Sequence, residues 1–355
     1  MKHSNYSISL LRFIALLFVI FCHVFEYIGS DLGEGRKIAI LGNYLCVGVQ
    51  IFLIISGFLY GSKENLFCDT QSRFDFIKKN FIKILTSYYC YILLFAIPIY
   101  FFTTNYISKD SIKGLLTVSS FLPGIHHFWF LPYILFCYFI TPFLYDLRRY
   151  IQDKSNNVTG ITIYMGGVLL TLIATEIVLK VYIPYFTPAW INIYIIGFFL
   201  PSLLTQRQLK LLIEKSLVVF LLLITVLILT NCAKYYIRYE ILPHYSSGKV
   251  FLICQYFINY SRDLTAAILF ILTVVKFGSF LNKKKYLSRL FVFLDTYSYE
   301  LYICHMIFVK GPLSTLALTE SYSINILIAI VGTCLTALFI KFISNKIRGF
   351  VHKCG

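Results

Sequence analysis

Charge is scarce in this chain. Only 14% of its residues are Asp, Glu, Lys or Arg, against about a quarter in an ordinary soluble protein. Acidic groups are the rarest, 16 in 355 positions. So thin a solvating surface excludes a disordered chain and an ordinary soluble enzyme. Ten cysteines are present, yet no two form a C-x-x-C pair. Most lie in apolar runs, where a thiol acts as a small hydrophobe, so neither a disulfide framework nor a metal site is expected. No small-residue cleavage site follows the first apolar run, which therefore reads as a retained transmembrane helix. Repeats and low-complexity tracts are missing too. The longest connections, 103–126 and 232–263, leave no room for a separate soluble domain.

What the chain does have is apolar length: 58% of residues are hydrophobic. A helix crosses the hydrocarbon core with about 20 apolar residues. Ten candidate spans follow, at 8–29, 38–60, 81–102, 127–145, 161–183, 190–204, 211–231, 264–280, 291–310 and 322–344. The expected fold is all-α, a polytopic transmembrane helix bundle of about ten spans, with residues 1–355 forming a single transmembrane domain.

The net charge of +16 invites a nucleic-acid partner, but topology accounts for most of it. With the N-terminus in the cytoplasm, 21 Lys and Arg fall on the cytoplasmic side and 10 opposite. This is the positive-inside bias with both termini cytoplasmic, and no nucleic acid is needed. The one arginine within a span is Arg12.

Ionisable groups inside a span are expensive and mark pathways or sites. Arg12 and His23 are eleven residues apart, so on a helix they differ by 20° after three turns and lie about 16 Å apart along one stripe. The plainer alternative is a snorkelling Arg and an interior His satisfied by a carbonyl. In the ninth span Ser298, Tyr302 and His305 fall at i, i+4 and i+7, on a single face. The fourth span enters through His126-His127-Phe128-Trp129. Adjacent residues diverge by 100°, so one of these histidines faces inward, and the two are poorly placed to chelate a metal together. Glu176, in the fifth span, comes to a similar depth as His23 and His305. A structural partner to an interior cation is the other reading of Glu176, and interfacial residues beside an aromatic belt the other reading of the histidine pair. Ser56-Gly57 is either a helix-packing notch or a place where a ligand approaches the backbone. Lys79 and Lys83 read as positive-inside loop or, beside Arg12, as an anion-binding patch.

Four blocks in order, Arg12-x10-His23, Phe52-x3-Ser56-Gly57-Phe58, His127-Phe128-Trp129-Phe130-Leu131 and Tyr297 to His305, resemble the acyltransferase-3 family of membrane acyltransferases. The chain departs from that family after the second span, where Lys79 and Lys83 stand in place of an arginine-rich stretch and no Pro follows. Lysine supplies charge without a bidentate fork.

The resemblance implies an O-acyltransferase of a bacterial inner membrane. It would move an acyl group, usually acetyl, from cytoplasmic acetyl-CoA to a hydroxyl of a surface polysaccharide or its lipid-linked precursor. The expected partners are thus the acyl-CoA donor, a glycan acceptor and membrane lipid. On this reading Arg12, Ser56, Gly57, Lys79 and Lys83 meet the donor, whose phosphates suit the basic groups. His23, His305 and Glu176 carry the catalysis, His being the side chain whose ordinary pKa suits a general base. His127, Trp129, Ser298 and Tyr302 would touch the acceptor. Direct transfer and an acyl-histidine relay both remain open. The competing class is a lipid-linked glycan flippase or polymerase, in which Arg12 and His23 would line a pathway.

Overall fold

The computed structural model describes residues 6–104, 109–116, 118, 127–154, 189–204, 217–245, 248–276 and 285–354, with isolated positions at 160, 166, 167, 170 and 174. Among these residues every regular element is helical. Seven helices are long and apolar enough to cross a membrane: Ser7–Ser30, Lys37–Gly61, Thr70–Thr103, His127–Lys154, Leu217–His244, Lys249–Val274 and Tyr322–Val351. A shorter apolar helix covers Trp190–Ser202. The expected span 161–183 lies almost wholly outside the described residues.

Helix α1, Tyr6–Glu26, is built from an almost uninterrupted apolar run. It ends in a π-helical turn and a loop with Gly33 and Gly35 at positive φ, a region open to glycine. The second expected span is a pair of helices, α2 at Arg36–Leu45 and α3 at Gly48–Gly61. The break falls where the Cys46 N–H turns back to the Asn43 carbonyl. Helix α4, Thr70–Tyr91, begins eleven residues before the expected span. Hydropathy misses its first turns because they are polar. They are held instead by a capping box, in which the Ser72 N–H donates to Asp69 Oδ1 at 2.7 Å and the Asp69 N–H to Ser72 Oγ at 3.1 Å. The Ser72 N–H, and then the Ser72 hydroxyl, hold the Asp69 carboxyl below the usual carboxylate range. Lys79 and Lys83 therefore stand on a helix, not in a loop, exposed and one turn apart.

Short α5 (Ile97–Thr104) and α6 (Lys109–Leu116) follow. Helix α7, Phe130–Lys154, is entered through the 3-10 turn His127–Trp129. Next come α8 at Ala189–Leu204, α9 at Leu217–Tyr236 and α10 at Lys249–Phe270. Helix α10 corrects the long connection expected at 232–263. Its buried stripe, Cys254, Ile258, Ser261, Thr265 and Ile268, follows 3.6 periodicity. Ser261 and Thr265 point inward with Asn259 and Asp263, so hydropathy understates the helix.

The ninth expected span is also divided, into α11 at Lys285–Thr296 and α12 at Ser298–Val309. At the joint Tyr297 has φ −105° and ψ −2°. There Thr296 and Ser298 return their hydroxyls to the carbonyls of Phe293 and Asp295, competing with the helical ladder. The last helix, α13, runs Tyr322–Cys354.

The chain forms two compact units. The first comprises Met1–Ala15, Val47–Cys68 and Ile140–Phe291. Here α3 packs on α8 and α10. Gly57 and Gly61, four apart, bring the α3 backbone against Tyr194, Gly197 and Phe198 of α8, where any Cβ would collide. Arg148, from the end of α7, donates to the carbonyls of Gly61 and Lys63 where α3 ends. Its guanidinium also lies over the Tyr145 and Phe198 rings, at 5.1 and 5.4 Å.

The second unit comprises Leu16–Cys46, Asp69–Phe139 and Val292–Gly355. Here α13 packs on α12 and α4. Val24, Ile28, Val309, Leu316 and Ala329 form an apolar cluster. The loop after α12 is bound by Asn325, whose amide donates to the carbonyls of Leu316 and Thr319 and whose oxygen accepts from the Thr319 N–H and hydroxyl. A buried Glu300 accepts from Ser87 Oγ at 2.9 Å and pairs with Lys341 at 3.0 Å, joining α4, α12 and α13.

Candidate active site

Three histidines meet inside the second unit. The His23 and His305 rings stack with centroids 5.5 Å apart and planes 25° apart. His127 approaches His305 edge-on at 4.9 Å. Backbone carbonyls set two of the rings. His305 is wholly buried on α12, and its Nδ1 lies 2.6 Å from the carbonyl of Tyr302, three residues earlier. A carbonyl only accepts, so Nδ1 carries the proton and Nε2 keeps its lone pair. That Nε2 is buried and meets no hydrogen-bond partner among the described residues. By the same argument His127 Nε2, 3.1 Å from the Ile303 carbonyl, is a donor.

Tyr302 ties the group together. Its hydroxyl donates to the His127 carbonyl, fixing the 3-10 turn on α12. Its ring lies 5.4 Å from His127 and 5.9 Å from His305. His23 is half-buried at the far end of α1, with Nδ1 3.5 Å from Glu26 Oε2 one turn on. A carboxylate against one ring nitrogen orients an imidazole. The arrangement thus combines a carboxylate-supported imidazole with a second imidazole whose lone pair is held ready.

The other expected residues fall elsewhere. Trp129 sits half-buried on the His127 turn, 6.2 Å from the Tyr133 ring. Ser298 opens α12 and donates to the Asp295 carbonyl, about 10 Å along the helix from His305. Arg12 and Ser56 are half-buried in the first unit, while Lys79 and Lys83 belong to the second. The side of Gly57 is filled by the α8 backbone, which is the packing notch. Glu176 and His126 lie outside the described residues. Two features escaped sequence reasoning. Glu26 was open to discovery from its i+3 spacing to His23. The Cys22–Cys46 contact, 2.8 Å between sulfurs, had no local signal, because the two cysteines lie 24 residues apart, one on α1 and one in the turn after α2. Among the described residues no group of three His, Cys, Asp or Glu side chains is placed to hold a metal ion.

Residues 5–343 match a family profile described as an acyltransferase domain. The chain belongs to the acyltransferase-3 family. No curated protein and no solved structure matches it. As an acyltransferase-3 protein it is an enzyme that transfers acyl groups, and its apolar helices make it a multi-pass membrane protein. Acyl transfer needs a base for the attacking group and an acid for the leaving group. Imidazole is a side chain of that kind.

Proposed function

We propose that the protein is an O-acyltransferase of a bacterial inner membrane, with both termini cytoplasmic. It takes an acyl group, acetyl in the first instance, from cytoplasmic acyl-CoA and places it on a hydroxyl of a surface polysaccharide or its lipid-linked precursor. The observation that carries this reading is the His23–His305 stack, with the His305 Nε2 lone pair unengaged. The family match weighs for group transfer over glycan translocation.

In the proposed reaction the acceptor hydroxyl gives its proton to an imidazole, its oxygen bonds to the thioester carbonyl carbon, and the C–S bond breaks. The thiolate takes up a proton from the imidazolium, which leaves an ester, the free thiol and a neutral base. His23 is the base, steadied by Glu26, and His305 stands against its ring as the second imidazole of the site. Tyr302, His127, Trp129 and Ser298 shape the acceptor side, and Glu176 joins the two histidines in the catalysis. Arg12, Lys79 and Lys83 are proposed to meet the phosphates of the donor, and Ser56 to hydrogen-bond to it.

The test replaces His23 in the full-length protein. His23→Ala should abolish transfer of radiolabel from acetyl-CoA and remove O-acetyl signals from the cell-surface glycan, with membrane insertion unchanged. An inserted His23→Ala protein that still acetylates would remove His23 from the reaction.

A further inference from the structure

The structure brings two thiols into contact beside the histidine layer. Cys22 Sγ, on α1, lies 2.8 Å from Cys46 Sγ, just past the end of α2. The approach is built into the backbone. Gly42 faces α1 so closely that a Cβ there would stand 2.8 Å from the Cys22 carbonyl oxygen. Cys46, one turn beyond Gly42, directs its sulfur back toward the Gly42 carbonyl at 3.5 Å. No disulfide joins the pair. A disulfide has an S–S distance of about 2.0 Å, so the sulfurs have less than 1 Å to close. Cys22 directly precedes His23.

We propose that Cys22 and Cys46 form an intramolecular disulfide that pins α2 to α1 next to His23. The co-reactant is a disulfide-bearing oxidant. Cys46 is partly exposed and Cys22 buried, so the Cys46 thiolate attacks first and forms a mixed disulfide. The Cys22 thiolate then attacks Cys46 Sγ and expels the oxidant's second sulfur. The two cysteines lose two protons and two electrons, one S–S bond forms, and the oxidant's disulfide is reduced to two thiols. With the N-terminus cytoplasmic, as proposed above, the pair lies toward the far end of α1, on the oxidising side of an inner membrane.

The test uses the full-length protein in membranes, with and without diamide, a chemical acceptor for the same two electrons and protons. Denaturation in excess N-ethylmaleimide followed by peptide mass analysis reads the state of each thiol. The expected result is a Cys22–Cys46 linked peptide, present in untreated membranes or formed with diamide. In Cys46→Ser, Cys22 should be alkylated in full under both conditions. Reduction should lower the melting temperature of the oxidised wild type by several degrees and leave Cys46→Ser unmoved. Full alkylation of both thiols after diamide overturns the proposal, as does linkage of Cys22 to a different cysteine. A bond whose reduction leaves melting unchanged overturns the pinning role. The diamide arm reads the geometry whatever the orientation of α1, so its outcome is independent of the proposed acyl transfer.

Discussion

At the residue scale the sharpest assignment is the tautomer of His305. Its Nδ1 is committed to the Tyr302 carbonyl and its Nε2 is unengaged, so one substitution separates structure from chemistry. His305→Asn places an amide N–H near the position of Nδ1 and keeps the bond to Tyr302, while removing the Nε2 lone pair. The variant should fold and insert as wild type and transfer acetyl about 10²–10⁴-fold more slowly, the range for loss of one acid–base group. Turnover with radiolabelled acetyl-CoA checks it, and a near-wild-type rate would leave His305 with a packing role only. His305 was legible from the i, i+4, i+7 pattern of Ser298, Tyr302 and His305, and His23 from its place within an apolar run. The tautomer was not legible, because it depends on which carbonyl a ring nitrogen meets. The 3-10 turn that sets His127 against α12 depends likewise on a tertiary bond from Tyr302.

At the element scale the end of α3 shows where charge reading falls short. The positive-inside rule counted Arg148 as one more loop cation. In the structure its guanidinium is buried and bonded to the Gly61 and Lys63 carbonyls, closing the helix with charge-assisted bonds at the negative end of its dipole. Arg148→Met should therefore leave two carbonyls poorly satisfied and lower stability by about 2–4 kcal/mol. Arg148→Lys should recover only part of this, since a single ammonium cannot reproduce the fork. Melting of the purified variants in detergent micelles would register both, and a Lys variant as stable as wild type would deny the fork its role. The same shortfall explains the early start of α4 and the hidden half of α10. The first is specified by a cap between Asp69 and Ser72, and the second by polar side chains directed inward. A hydropathy window registers neither. The break at Cys46 is set by one backbone bond and that at Tyr297 by the Thr296 and Ser298 hydroxyls, and both lie inside long hydropathic stretches, so the spans at 38–60 and 291–310 looked continuous.

At the scale of the whole molecule composition carried the most. So apolar a chain is a helical membrane protein, and seven helices of spanning length stand among the described residues. Composition is silent about what ties such helices together, because lipid is as apolar as their side chains and little hydrophobic force draws one to another. In the second unit that work falls to a buried polar group. Glu300, 1% exposed, holds Ser87 of α4 and Lys341 of α13, and Lys341 also donates to the Thr296 carbonyl at 2.8 Å. Removing one member of a buried ion pair strands the other, at about 3–5 kcal/mol. Lys341→Met should therefore destabilise strongly. Glu300→Gln, which keeps an acceptor for Ser87, should cost about 1–3 kcal/mol. In the double variant no charge is stranded, so its loss should fall short of the sum of the single losses by about 2 kcal/mol. Thermal melting of the four proteins in one detergent measures that coupling. Additive losses would mean that Glu300 and Lys341 act separately, and that α12 and α13 are held by side-chain packing alone.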